Sequence, residues 1–200
     1  MRSLLLGTRN PGKVIEITSI LADSGWSFSS LQEFPNVGEA EENFVTFAEN
    51  VIAKARFYAA ATGLCALADD SGLEVAALGG APGVFSARYA GEHATDADRR
   101  ALLLYELTKI GDSDRRARFV AVVAIAKPDG EILNLSEGIC EGTITFAPRG
   151  SGGFGYDPLF VPDGYDQTFA ELPDTVKNLI SHRALALLTT RTFLSSCKTC

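Results

Sequence analysis

The sequence is poor in several things, and each shortage excludes a class of protein. No apolar run approaches the ~18 residues that a membrane-spanning helix requires, so no membrane partner is expected. Basic residues do not dominate: the net charge is −7, which argues against a general nucleic-acid binder. An acidic chain can hold a phosphate only where its few Lys and Arg residues converge, or through a metal. Histidine occurs twice and cysteine four times. Cys197 and Cys200 form a single C-x-x-C with no second pair, too little for a zinc site, so residues 196–200 read as a flexible tail. Cys65 and Cys140 lie in apolar, strand-like contexts and are expected to be buried thiols. The N-terminal stretch MRSLLLGTRNPGK has too short an apolar part for a signal peptide and no small-residue cleavage site. It reads as the first strand of a cytoplasmic protein. Repeats, linkers and low-complexity segments are also missing.

What is present is an ordinary globular composition of 200 residues, 46% apolar and 22% charged, which points to one domain over residues 1–200. Residues 3–8 read as a strand, followed by a turn and a helix with Asn10 as N-cap and Pro11 at the first helical position. Val14, Ile17, Ile20 and Leu21 mark the apolar face of that helix, and Gly25 its end. Residues 28–31 suggest a short strand, 35–43 a loop, and 44–61 a second helix with Phe47, Val51, Ala55 and Tyr58 inward. Glu42, Thr46, Asn50 and Lys54 recur as a polar stripe, which is either a solvated helix face or part of a site. Thr95 caps a third helix, residues 117–126 form a β-like run, and the Pro128-Asp129-Gly130 turn returns it as a hairpin. A last helix is expected over 177–194. Strands and helices alternate around an antiparallel hairpin, so the fold class is α/β, with a mixed central sheet flanked by helices.

Chemistry concentrates in a few stretches. The apolar run Leu64 to Ala68 ends at Asp69 and Asp70; Ser71 and Gly72 follow, then a second apolar run. This reads as a buried strand delivering two carboxylates to a corner. Adjacent buried carboxylates repel and cost desolvation unless a cation sits nearby. A plain polar loop is the alternative. Gly7 to Lys13 fits G-x-x-x-x-G-K between a strand and a helix, but the next residue is Val14, not the Ser or Thr that holds magnesium. Pro11 also removes a backbone donor. A P-loop is therefore disfavoured, although a helix N-terminus with Lys13 in its first turn still suits a polyphosphate. Phe154 and Tyr156 lie in a glycine cluster and could stack on a base, and Lys177, His182 and Arg183 add donors. Together these residues suit a nucleoside triphosphate with Mg²⁺.

At this point the chain resembles the inosine triphosphate pyrophosphatase (Ham1-like) family, in its bacterial dITP/XTP pyrophosphatase branch. The matching segments are Thr8-x-Asn10-x-Gly12-Lys13 with Glu16; Thr46-Phe47-x-Glu49-Asn50-x-x-x-Lys54-Ala55; Ala68 to Leu73; Gly79 to Gly83 with Ser86 to Tyr89; Gly152 to Pro158; and Ser181-His182-Arg183. The resemblance implies two lobes with a cleft between them, a homodimer, and hydrolysis of dITP, ITP or XTP to the monophosphate and pyrophosphate. It implies that Thr8, Arg9, Asn10, Pro11, Gly12 and Lys13 bind the triphosphate. Asp70 would be general base and Mg²⁺ contact, with Asp69 as its support and Lys13 and Lys54 neutralising the leaving group. A glutamate of the 41–42 pair would be a second metal ligand. Counting back from Lys54 favours Glu42, but Glu41 stays open, because Glu42-Asn43-Phe44 departs from the family's Glu-Thr-Gly. Ser71, Phe154, Gly155, Tyr156, Asp157, Lys177, His182 and Arg183 would contact substrate. Two other readings remain: a P-loop-like NTPase releasing single phosphate, and a nucleotide-binding regulator without turnover.

Overall fold

The computed structural model describes residues 2–111 and 114–197. Among the described residues six strands form one sheet in the order β2-β1-β3-β4-β5-β6. They are β1 (Ser3–Leu6), β2 (Ser27–Ser30), β3 (Ala66–Val75), β4 (Arg116–Ala126), β5 (Ile132–Ile144) and β6 (Phe160–Pro162). The helices are α1 (Pro11–Ile20), α2 (Phe47–Thr62), α3 (Asp96–Lys109), α4 (Asp174–Ile180) and α5 (His182–Ser196). β1 runs parallel to β2 and β3, whereas β5 and β6 are antiparallel. β4 and β5 are sheet neighbours joined by a tight turn in which Lys127 N donates to Glu131 O at 2.9 Å. So short a connection allows only an antiparallel pair. The sheet is mixed, as the element pattern predicts. Among the described residues no helix is long and apolar enough to cross a membrane.

The chain divides into two compact units. The first comprises Met1–Asp70, Ala121–Gly138 and Arg183–Cys200, and the second Ser71–Val120 and Ile139–His182. Each has its own apolar core. In the first, Leu4, Leu6, Ile17, Leu67, Val123, Ile125 and Leu187 pack together, and Trp26 donates its indole N–H to Leu194 O at 3.0 Å. In the second, Leu73, Leu103, Leu107, Phe119, Phe160 and Phe169 form the core, with three of the phenylalanine rings in mutual contact.

Several local features differ from the sequence reading. The Asp-Asp corner is not a corner: β3 continues through Asp69, Asp70, Ser71 and Gly72 to Val75. The buried Leu73 and Val75 carry the strand onward, and cations neutralise Asp69 in place, so no turn is needed to bring charge to water. The polar stripe Glu42, Thr46, Asn50 and Lys54 is not one helix face: Glu42 precedes the helix, Thr46 is exposed, and Asn50 is buried. α2 starts at Phe47 with Thr46 as N-cap, and Asn50 is fully buried, bonding both the N–H and the C=O of Phe44. The last helix is two helices, because Ser181 is extended (φ −68°, ψ 153°), a backbone that suits a serine preceding a helix. Finally, Ser196 still belongs to α5 and Cys197 is buried, so only residues 198–200 of the expected tail lie outside the described residues. Cys65 and Cys140 are buried, as their apolar contexts predict, but of the two only Cys140 is a free thiol; Cys65 is disulfide-bonded.

Candidate functional site

In the first unit the site grows from the carboxyl end of β1. Leu6 pairs with Leu67 of β3, and Gly7 N donates to Leu67 O at 2.7 Å. A Cβ on Gly7 would stand 2.8 Å from the Tyr58 ring and 3.1 Å from Leu67 O, so only glycine lets the chain leave the sheet here. The following turn is self-bonded: Asn10 N donates to Thr8 Oγ1 at 3.2 Å, and Asn10 Oδ1 caps α1 by accepting from Lys13 N at 3.2 Å. Thr8 is buried. Arg9 turns to the 31–37 loop and donates to Leu31 O and Val37 O at 3.3 and 2.6 Å. Pro11 and Gly12 open α1, whose N–H groups and dipole favour an anion.

β3 continues past the end of β1 and carries the two acids, and a buried charge network surrounds the first of them. Lys13 Nζ lies 3.0 Å from Asp69 Oδ1. Arg183 Nε donates to Asp69 Oδ2 at 3.0 Å, and its Nη1 to Glu16 Oε2 at 2.5 Å. Asp69 is 1% exposed and Arg183 2%. Burial alone would raise the Asp69 carboxyl, but the charges of Lys13, Arg183 and Lys54 overcome it and hold the group well below the usual carboxylate range. Burial lowers the Lys13 ammonium despite Asp69. Burial would also lower Arg183, but Asp69 and Glu16 raise it further into its charged state.

Asp70 behaves in the opposite way. Burial, and then the charge of Glu42, push its carboxyl up to about 6, against the opposing pull of Lys13 and Lys54. Glu42 pairs with Lys54, whose ammonium is held above its ordinary value by that partner in spite of burial. The buried Asn50 pins the 44–46 segment to α2 and so helps fix the loop carrying Glu42. Glu41 points elsewhere: it accepts from Asn43 Nδ2 at 2.9 Å on the exposed surface.

The donor set can be compared with what a metal needs. Lys13, Lys54 and Arg183 are three cations among four carboxylates, Glu16, Glu42, Asp69 and Asp70, so the cluster holds one more acid than base. Among the described residues no group of three or more His, Cys, Asp or Glu could enclose a metal. Two carboxylates with mutual repulsion fit Mg²⁺, which keeps several waters and takes one or two protein carboxylates together with substrate phosphates.

The second unit holds the remaining candidates. Ser71 is half-buried on β3. Asp157 Oδ2 accepts from Phe154 N at 2.9 Å and from Lys177 Nζ at 2.7 Å, and both charged residues are buried. The Lys177 ammonium lies 5.1 Å from the Phe154 ring centroid, a cation–π contact. Asp157 and Lys177 therefore shape the turn that carries Phe154. Gly153 and Gly155 take left-handed φ of 67° and 59° there, and a Cβ on Gly153 would run into the Asp157 carboxylate. Tyr156 is core: its hydroxyl donates to Ser86 O at 3.1 Å. His182 stacks on Phe119, with centroids 4.6 Å apart and planes at 11°.

The structure thus gathers Lys13, Glu42, Lys54, Asp69, Asp70 and Arg183 in one unit, and Phe154, Gly155, Asp157 and Lys177 in the other. Glu16 stands in the first motif block, but the sequence assigns it no role. Its signal was its place one helical turn after Lys13, on the same face of α1. Asp96 and Arg100 of α3 were missed as well. Both bond the Gly155 backbone, at a sequence distance no local pattern reveals.

Comparison with known proteins is extensive. The sequence model of the Ham1 family matches residues 4–193. A protein of Desulforamulus reducens named dITP/XTP pyrophosphatase is 53% identical over 92% of this chain and 91% of its own length. A protein of the same name from Streptomyces coelicolor is 48% identical over 93% and 94%. Among solved structures, a HAM1 protein from Coxiella burnetii superposes with a TM-score of 0.90 at 45% identity, covering 98% of this chain and all of the other.

Proposed function

Because the chain belongs to the Ham1 family, we propose that it hydrolyses the non-standard purine nucleoside triphosphates dITP, ITP and XTP to the monophosphate and pyrophosphate. The observation that carries this reading is the buried charge cluster: Asp69 is held by Lys13 and Arg183, and Asp70, next to it on β3, has its carboxyl raised to about 6 by burial and the Glu42 of the Glu42–Lys54 pair. A carboxylate tuned toward neutrality is suited to take a proton from water at physiological pH. In the reaction the water oxygen bonds to the α-phosphorus, its proton passes to Asp70, and the bond to the bridging oxygen breaks with release of pyrophosphate. Lys13 and Lys54 offset the charge that grows on the leaving group, and the N-terminus of α1 with Thr8 to Gly12 orients the phosphates. Asp69, locked to Lys13 and Arg183, keeps Lys13 aimed.

Glu42 and Asp70 would hold Mg²⁺, which supplies charge neutralisation at the phosphates and lowers the pKa of a bound water. For the base we propose that Phe154 stacks on the purine, and that His182 and Arg183 donate to its 6-oxygen. Asp69 and Glu16 fix the guanidinium plane by holding Nε and Nη1. Adenine presents an amino group at that position, so donor would meet donor. Ser71, Gly155, Tyr156, Asp157 and Lys177 complete the proposed substrate contacts, Tyr156 and Asp157 by shaping the backbone. A homodimer acting in the cytoplasm is part of the same proposal, and light scattering tests the dimer.

The deciding experiment incubates the chain with ITP and Mg²⁺ and identifies the phosphate released. Pyrophosphate is expected. Single phosphate would move the protein to the P-loop-like reading, and tight binding without turnover would make it a regulator.

A further inference from the structure

The turn that carries Phe154 is held by a helix distant from it in sequence. Gly155 N donates to Asp96 Oδ2 at 2.7 Å, and Arg100 Nη1 donates to Gly155 O at 2.7 Å. Asp96 and Arg100 stand one turn apart on α3, at the i, i+4 spacing that puts two side chains on one face. They grip both polar groups of a single residue. α3 is itself firmly seated: Thr95 and Asp98 form a capping box, and Leu103 and Leu107 are fully buried. Asp96 Oδ1 accepts from Arg99 Nη1 at 2.6 Å, which fixes the carboxylate's orientation.

Such a clamp matters because the turn is intrinsically loose. Gly150, Gly153 and Gly155 all have left-handed φ, and glycine loses more conformational entropy on ordering than any other residue. On the other side, Asp157 and Lys177 hold the Phe154 backbone N–H and ring. Only Asp96 and Arg100 tie Gly155 to a long helix among the hydrogen bonds of the described residues. We propose that Asp96 and Arg100 are positioning residues for base recognition: they hold the Phe154 ring in its binding orientation before substrate arrives. The inference rests on the reading that Phe154 stacks on the purine. With the turn already ordered, binding does not bear that entropy cost, so the benefit falls on affinity for the base and not on the chemical step.

The test is steady-state kinetics on ITP with Mg²⁺, together with inhibition by inorganic tripolyphosphate, which has no base. Asp96→Ala is expected to raise KM for ITP about tenfold, with kcat within about twofold, the scale of one lost hydrogen bond to a charged group. The Ki of tripolyphosphate is expected to stay at the wild-type value. Asp96→Asn retains an oxygen that can accept from the Gly155 N–H, and is expected to restore most of the affinity. Arg100→Ala removes the other grip without touching the cap of α3, and carries the same test if Asp96→Ala fails to fold. An unchanged KM, a parallel rise of KM and Ki, or an Asn variant no better than Ala would each overturn the proposal. Failure of the wild type to release pyrophosphate would instead refute the proposed function.

Discussion

Asp69 and Asp70 are the same residue type at adjacent positions of one strand, and the fold gives them opposite electrostatics. Successive strand residues face opposite sides. Asp69 meets Lys13 and Arg183 and stays ionised far below the usual range. Asp70 meets burial and Glu42, and its carboxyl rises to about 6. The lesson is that burial does not decide a carboxylate's behaviour by itself. Both acids are buried, and the balance of neighbouring charges separates a carboxyl held ionised from one pushed toward neutrality.

The largest effect should come from the second acid. Asp70→Asn is expected to lower kcat for ITP by about 10²–10⁴-fold, the usual worth of a positioned general base. The same variant, stripped of metal in EDTA at pH 7, is expected to be about 1–3 kcal/mol more stable to urea, since the amide removes a charge that burial and Glu42 disfavour. Near wild-type turnover would show that Asp70 is not the base. Asp69→Asn should do the reverse to stability. It leaves Lys13 and Arg183 buried with less counter-charge, at a cost of about 3–5 kcal/mol. Two isosteric changes one residue apart should therefore move the urea midpoint in opposite directions. Movement in the same direction would break the comparison.

A titration sharpens it further. The folded-state value of Asp70 lies above its ordinary 3.8, so between about pH 4 and pH 6 the folded protein binds more protons than the unfolded one. Its contribution is then most favourable below pH 4 and declines as pH rises through 6, by at most about 3 kcal/mol. Asp69 has the opposite sign: its stabilisation is present above its unfolded value and is lost only in stronger acid. Urea melts of metal-free protein from pH 4 to 7 should show a steeper fall in wild type than in Asp70→Asn. Parallel curves would mean that Asp70 titrates normally.

Much of this arrangement was legible in the sequence, because it depends on local signals. Asn10 and Thr95 cap their helices as their positions predict, and the inward faces of α1 and α2 follow helical spacing. The motif blocks pointed to Lys13, Lys54, Asp69 and Asp70 before any contact was known. What was not legible depends on long-range partners. β3 reads as ending at Asp69 because two acids look like a terminus. The strand continues because Arg183, 114 positions away, neutralises one of them. Asn50 reads only as one member of a polar stripe, either solvated or part of a site, because its partner is the backbone of Phe44, and a side chain bonded to backbone leaves no pattern in residue types.

The smallest effect concerns the glutamate pair, which spacing alone left unresolved. Glu42 is paired with Lys54 and raises Asp70, whereas Glu41 bonds only its neighbour Asn43 at the surface among the described hydrogen bonds. Glu42→Gln should raise the Mg²⁺ concentration for half-maximal rate by about tenfold, a change on the scale of disturbed metal-site residues. It should also bring the Asp70 carboxyl down, because a neutral amide no longer opposes its ionisation. Glu41→Gln should leave both within about twofold, as expected of an exposed substitution. Magnesium titrations of the two variants against wild type separate the cases. Equal effects would mean that the 41–42 loop acts through its total charge, and that the pairing of Glu42 with Lys54 does not select the metal-binding acid.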